Sequence, residues 1–215
     1  MPCSIETLYN GVDTSFFELK EGLKEKSKEQ LQLPTDKLIA TNVAVFRTQK
    51  RLDRWLQIAK QTLAQTNEVE FVLIGDGPLK ESIHQQAEAL GIQDAILMPG
   101  LQKEMLPWFA ATDLFLMSSD WEGLPIALLE AMSMGCVPVV TDAGGIPEVV
   151  DDTCGIVYAK EDIDRAVAAI LSLVQDRRSL QAYRVNARKR IEEGFSLKRM
   201  VRQLEDVYGE VVERV

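Results

Sequence analysis

Two glutamates bracket the segment Glu122-Gly-Leu-Pro-Ile-Ala-Leu-Leu-Glu130, with seven residues between them. Pro125 suits the first position of a helix, because its ring pre-sets the backbone angle and its missing N–H would be unbonded there anyway. The apolar run from Pro125 to Gly135 reads as a buried helix stopped by a glycine. Glu122 then lies just before the helix and Glu130 in its second turn. The N–H groups of Gly123, Leu124 and Ile126 lack intrahelical acceptors. Such groups, at the positive end of a helix, attract phosphate. A carboxylate accepts hydrogen bonds from the paired hydroxyls of a sugar. Amides for phosphate beside carboxylates for hydroxyls make the chemistry of a nucleotide-sugar site. Helix starts favour acidic residues for structural reasons too, so the segment must be weighed with its surroundings.

Four other groups could do chemistry. Arg47-Thr-Gln-Lys50-Arg51 follows an apolar run and offers a point charge and two guanidinium forks to a diphosphate, or is a solvated basic turn. Gly75-Asp-Gly77-Pro lacks the third glycine of the dinucleotide fingerprint, since Lys80 stands in its place, and reads better as a tight strand-to-helix turn. Thr141-Asp-Ala-Gly-Gly145-Ile-Pro-Glu148 admits close backbone approach to a ligand, with Pro147 opening a short helix. His84 is the only histidine and falls on the polar side of a helical pattern. It is expected at the surface, which leaves no histidine placed for acid–base work.

These groups need a scaffold, and the pattern supplies one. Short apolar, β-rich runs occur at Leu38–Phe46, Phe71–Gly75, Ala95–Met98, Leu114–Met117, Val137–Thr141 and Gly155–Tyr158. Helical stripes fall between most of them: Leu52, Trp55, Leu56, Ala59 and Leu63; Leu79, Ile83, Ala87 and Leu90; Ile163, Ala166, Val167, Ile170, Leu171 and Val174. Alternating strands and helices predict a doubly wound, Rossmann-like α/β domain, with a mostly parallel sheet of about six strands and helices on both faces. Ligands in such sheets bind beyond the carboxyl ends of the strands. Every group named above except His84 follows a strand, so all would crowd one edge. Residues 17–33 are charged and weakly helical, and the chain is helical again from about Asp176. Gly194 interrupts that tail, Ser196 is a cap candidate, and Met200, Val201, Leu204, Tyr208, Val211 and Val212 share one apolar face.

The chain of 215 residues is 46% hydrophobic and 27% charged, enough for one sizeable core. Its net charge of −9 argues against a nucleic-acid partner. Cys3, Cys136 and Cys154 are too scattered for a disulfide framework or a zinc site, and Cys136 sits in an apolar run as a core residue would. Such usage fits a reducing, cytoplasmic setting. No residues show metal-ligand spacing. No stretch has the apolar length of a membrane span, and Met1-Pro2-Cys3-Ser4 does not open a signal peptide.

The order of these motifs resembles a known family. From Tyr9-Asn-Gly-Val-Asp13 through Lys50, Ile74–Pro78, Pro99-Gly100, Ala110–Leu114, Ser118–Ala131 and Gly144–Glu148, the chain is similar to the donor-binding half of retaining glycosyltransferases with the GT-B fold. The resemblance implies that Glu122 contacts the transferred sugar and acts as the catalytic glutamate. It implies that Glu130 holds the ribose, that Lys50 meets the diphosphate, and that Gly123, Leu124 and Ile126 lie near the phosphates. Gly100, Leu101 and Gln102 fall where the base sits. The implied donor is a UDP-, GDP- or ADP-sugar, with no cofactor and no metal.

One departure is that the family's arginine, five residues before the lysine, is Val45 here, with Arg47 the candidate replacement. The resemblance further implies that residues 1–13 are an interdomain linker, 14–195 the nucleotide-sugar domain, and 196–215 a helix packing towards an amino-terminal acceptor domain outside this chain. It implies a sugar or lipid-linked acceptor, peripheral membrane association of the whole protein, and little turnover by this half alone. A non-catalytic nucleotide-sugar or regulatory module and an NAD-dependent oxidoreductase domain stay open as alternatives. The missing third glycine opposes the last.

Overall fold

The computed structural model describes residues 7–213. Cys3 lies outside them, as do the side chains of Val211 and Val212. Six strands form one sheet: β1 (Leu38–Val45), β2 (Val69–Asp76), β3 (Ile96–Gly100), β4 (Leu114–Met117), β5 (Val137–Thr141) and β6 (Ile156–Tyr158). Every pairing is parallel, in the order β3-β2-β1-β4-β5-β6. The helices are α1 (Leu23–Gln30), α2 (Leu52–Leu63), α3 (Lys80–Ala89), α4 (Leu106–Ala111), α5 (Ile126–Ser133), α6 (Ile146–Val149), α7 (Ile163–Gln175), α8 (Arg177–Gly194) and α9 (Leu197–Glu213). The expected Rossmann-like fold is what is found.

Strand side chains alternate between the two faces, and both faces are buried. Phe71, Leu73, Leu114 and Leu116 enter a core with Trp55 and Leu56 of α2 and Ile170 of α7. Phe115, Met117 and Val140 enter the other, with Leu128 and Met132 of α5 and Ile191 of α8. That two-sided demand explains the apolar runs. The edge strand β3 runs on through Pro99 to Gly100, further than the apolar run implied, because an edge strand tolerates proline. Helix α4 is an addition: Leu-Pro-Trp-Phe-Ala-Ala has no polar face to mark it, and Trp108 to Ala111 are all buried.

At the other end of the strands, Asp113 is 3% exposed. It accepts hydrogen bonds from Lys24, from Arg184 at 2.9 Å and from the Ile39 N–H at 3.0 Å. This cluster locks α1 and α8 to the sheet. Cys136 and Cys154 are buried thiols. Among the described residues no helix is long and apolar enough to cross a membrane.

Candidate functional site

The strand order reverses between β1 and β4, and the crevice of such a sheet opens beyond the ends of those two strands. Lys50 follows β1 and Glu122 follows β4, so a separation of 72 residues collapses to direct contact. The Lys50 Nζ donates to both carboxylate oxygens of Glu122, at 2.7 and 2.9 Å. The Ser119 hydroxyl donates to Glu122 Oε1 at 2.6 Å. The pair faces a cleft of about 340 Å³, walled by Val43–Val45, Ile74 and Gly75, Leu101 and Gln102, and Pro125–Ala127.

The loop carrying Glu122 is held from several sides. The Ser118 hydroxyl donates to the carbonyls of Lys50 and Arg51, and the Thr141 hydroxyl to that of Ser119 at 2.7 Å. The Asp120 N–H donates to the Gln49 carbonyl at 2.8 Å, and its carboxylate accepts from Arg51 and from the buried Arg54. Burial pushes the Asp120 carboxyl up, but the Arg54 and Arg51 guanidiniums outweigh it and leave its pKa below the usual value. Gly144 and Gly145 sit against the main chain of Glu122 and Gly123. Their close approach therefore serves this loop, where the sequence left a ligand as the other reading. Gly75 and Gly77 likewise lie directly on the main chain of Ala44 and Phe46, as a tight turn requires and a phosphate cradle does not.

Helix α5 begins one residue later than expected. Pro125 is its N-cap, extended at ψ 118°, and its carbonyl accepts from Leu128 and Leu129. Among the described residues, the N–H groups of Gly123, Leu124, Ile126 and Ala127 have no acceptor. They are divided between two openings. Ile126 and Ala127 border the Lys50 cleft, while Gly123 and Leu124 border a pocket of about 270 Å³ shared with Tyr9, Asn10 and Glu148. Glu130 is not in the cleft wall, but it stands three and four residues after Ala127 and Ile126, so it shares their helix face. Burial alone raises its pKa.

Of the remaining expected groups, Leu101 and Gln102 line the cleft, with the Gln102 Nε2 donating to the Pro99 carbonyl at 2.9 Å. Gly100 ends β3 beside them. Arg47 is exposed and is not among the lining residues, so the structure does not bring it to Lys50 and Glu122. Val45 is at the cleft and 51% exposed. His84 is on the surface of α3. Ser119, Asp120 and Arg54 were not singled out from sequence; nothing in their local spacing shows that they meet. A larger cleft of about 520 Å³ lies where α5 ends against α8, but its guanidiniums are committed, Arg184 to Asp113 and Arg188 to carbonyls of Thr14, Phe17 and Ser133.

Sequence and fold place the chain in one family. It belongs to the glycosyl transferases group 1, whose family model matches residues 24–190. It is 29% identical over 210 residues to N-acetyl-alpha-D-glucosaminyl L-malate synthase of Bacillus anthracis, covering 97% of this chain and 54% of that protein. It is 28% identical to the UDP-Gal:alpha-D-GlcNAc-diphosphoundecaprenol alpha-1,3-galactosyltransferase of Escherichia coli, covering 98% and 55%. The chain thus spans about half the length of these relatives. Among solved structures, Anabaena Alr3699/HepE in complex with UDP superposes with a TM-score of 0.87 at 20% identity, over 95% of this chain and 57% of that one. The C-terminal domain of the group 1 protein LpcC from Francisella tularensis superposes at 0.77 with 23% identity, over 87% of this chain and all of that domain (100%). At these identities the structures speak for the fold.

Proposed function

We propose that this chain is the donor-binding half of an enzyme that moves a sugar from a nucleoside diphosphate sugar to an acceptor, with retention and without a metal. One observation carries the reading: Lys50 and Glu122 meet at the cleft beyond the sheet's switch point. The bond from the anomeric carbon to the diphosphate breaks and the diphosphate leaves with the electron pair; the acceptor hydroxyl's oxygen bonds to that carbon, and its proton passes to the departing phosphate oxygen. Lys50 and the free N–H groups at the start of α5 meet the charge that develops on the leaving group. Glu122 holds hydroxyls of the transferred sugar, and positioning supplies much of the rate. Glu130 accepts from the ribose, and Gly100–Gln102 lie against the base.

The Escherichia coli relative, named for UDP-Gal and a diphosphoundecaprenol-linked sugar, supports a UDP-sugar donor and a lipid-linked acceptor. The acceptor would bind a domain outside this chain, joined through residues 1–13. The face of α9 that leaves Val201 40% and Tyr208 64% exposed would pack towards it. This half alone would bind nucleotide and turn over little. Titration calorimetry with UDP, GDP, ADP and their sugar forms tests the assignment, and silence from all of them at millimolar concentration would overturn it. Val45, apolar at the cleft mouth, favours a second reading in which the fold binds nucleotide-sugars without catalysis. Transfer activity of the whole protein separates the two.

A further inference from the structure

We propose that Glu122 makes the cleft prefer a sugar-bearing nucleotide over the bare nucleoside diphosphate, by holding Lys50 whenever no sugar is present. The inference rests on the reading above and concerns how two halves of one ligand are recognised together. Two hydrogen bonds, of 2.7 and 2.9 Å, commit Lys50 to the Glu122 carboxylate. The Glu122 side chain is 8% exposed and that of Lys50 20%, so water screens the pair weakly. Neither partner's main chain is free to drift. The Lys50 carbonyl accepts from Ser118 at 3.2 Å, and the Glu122 loop is fixed through Ser119 and Asp120.

Two of the three ammonium N–H groups are thus taken, and a diphosphate can gain more than the one left over only by drawing the ammonium away from Glu122. That leaves a nearly buried carboxylate short of compensation and adds negative charge beside it, a costly arrangement. A sugar changes the balance. Its hydroxyls donate to the Glu122 oxygens that Lys50 vacates, so the lysine is released to the phosphates at little cost. The nucleoside diphosphate left after transfer offers no such hydroxyls. Glu122 then competes for Lys50 again, and the product is held less tightly than the donor.

The test is a double-mutant cycle of Glu122→Gln and Lys50→Met, titrated with UDP, GDP and ADP and with their glucose esters. Glutamine keeps the shape and removes the charge that competes. E122Q is expected to bind the best of the three nucleotides about tenfold more tightly than the parent, one power of ten in Kd. The gain should vanish in the K50M background. Affinity that is unchanged or weaker in E122Q overturns the inference while leaving the site assignment standing. So does an equal gain in the K50M background, which would mark plain repulsion between carboxylate and phosphate. If none of the three nucleotides binds either protein, the site assignment itself fails. Thermal melts confirm that each variant is folded; Glu122→Asp, which retracts the charge by one methylene, is expected to move affinity the same way by less.

Discussion

Gly144 lies so close to Glu122 that a Cβ built on it would stand 1.8 Å from the Glu122 carbonyl oxygen. Gly144 also holds φ at +58°, where any L side chain is strained. The loop after β5 is thus the template on which the Glu122 loop is laid. Gly144→Ala must push Glu122 away from Lys50. We expect a stability loss of about 2–4 kcal/mol, read by thermal unfolding, together with loss of nucleotide binding. Gly123, next to Glu122, has open space around its Cα and an ordinary φ. Gly123→Ala is expected to melt with the parent, and equal damage from both variants would refute the template role.

Glu130 should trade stability for binding. Its carboxyl is partly buried, and burial is the one influence that raises its pKa above the ordinary carboxylate range. A group raised on folding contributes its stability below the unfolded pKa and loses it as pH rises through the folded one. At neutral pH the ionised Glu130 therefore weakens the fold. Glu130→Gln is expected to raise Tm by about 2 °C at pH 7, with the gain fading to nothing near pH 4. The same variant should weaken nucleotide binding. A lower Tm at pH 7 would show that the carboxylate is structural.

The two buried thiols should be inert. Burial pushes the Cys136 thiol up to about 12 and the Cys154 thiol to about 11. At pH 8 only about one Cys136 in ten thousand would be thiolate, the reactive form. The Cys136 Sγ is moreover turned to the Phe109 carbonyl at 3.3 Å. Iodoacetamide at pH 8, followed by peptide mass spectrometry, should leave both residues unmodified in the folded chain and label both in denaturant. Labelling of Cys136 in native buffer would contradict its place in the core.

The strands were legible because a sheet buried on both faces needs unbroken apolar runs, and turn residues mark where each stops. Lys50 and Glu122 were legible as members of a motif, each on a loop that the alternation sends to one edge. Their ion pair was not, because sequence carries no distance across 72 residues. The glycine pair at Gly144-Gly145 was visible as a place of close approach, but what approaches is set by the tertiary fold. Asp120 with Arg54, and Asp113 with Lys24 and Arg184, look like ordinary surface charges until the helices fold over them. Helix α4 hid because periodicity needs a polar side, and a six-residue helix buried all round shows none.

Arg54 makes the sharpest test of how the site is held. Its side chain is 5% exposed, and one fork bridges Asp120 and Glu161. The Glu161 side chain is 83% exposed, so that arm contributes little. The Asp120 arm ties the Glu122 loop to α2. Lysine carries the same charge but puts its donors on one nitrogen at the end of a flexible stem, without the planar fork that fixes direction towards Asp120. Arg54→Lys should therefore behave nearly as badly as Arg54→Met. Because Arg51 still reaches Asp120 at 3.1 Å, neither leaves a bare charge, and each is expected to cost about 1–3 kcal/mol. Nucleotide affinity should fall with both, since Glu122 loses its register against Lys50. Full recovery of Tm and affinity in R54K would mean that charge alone, and not the planar fork, positions the loop.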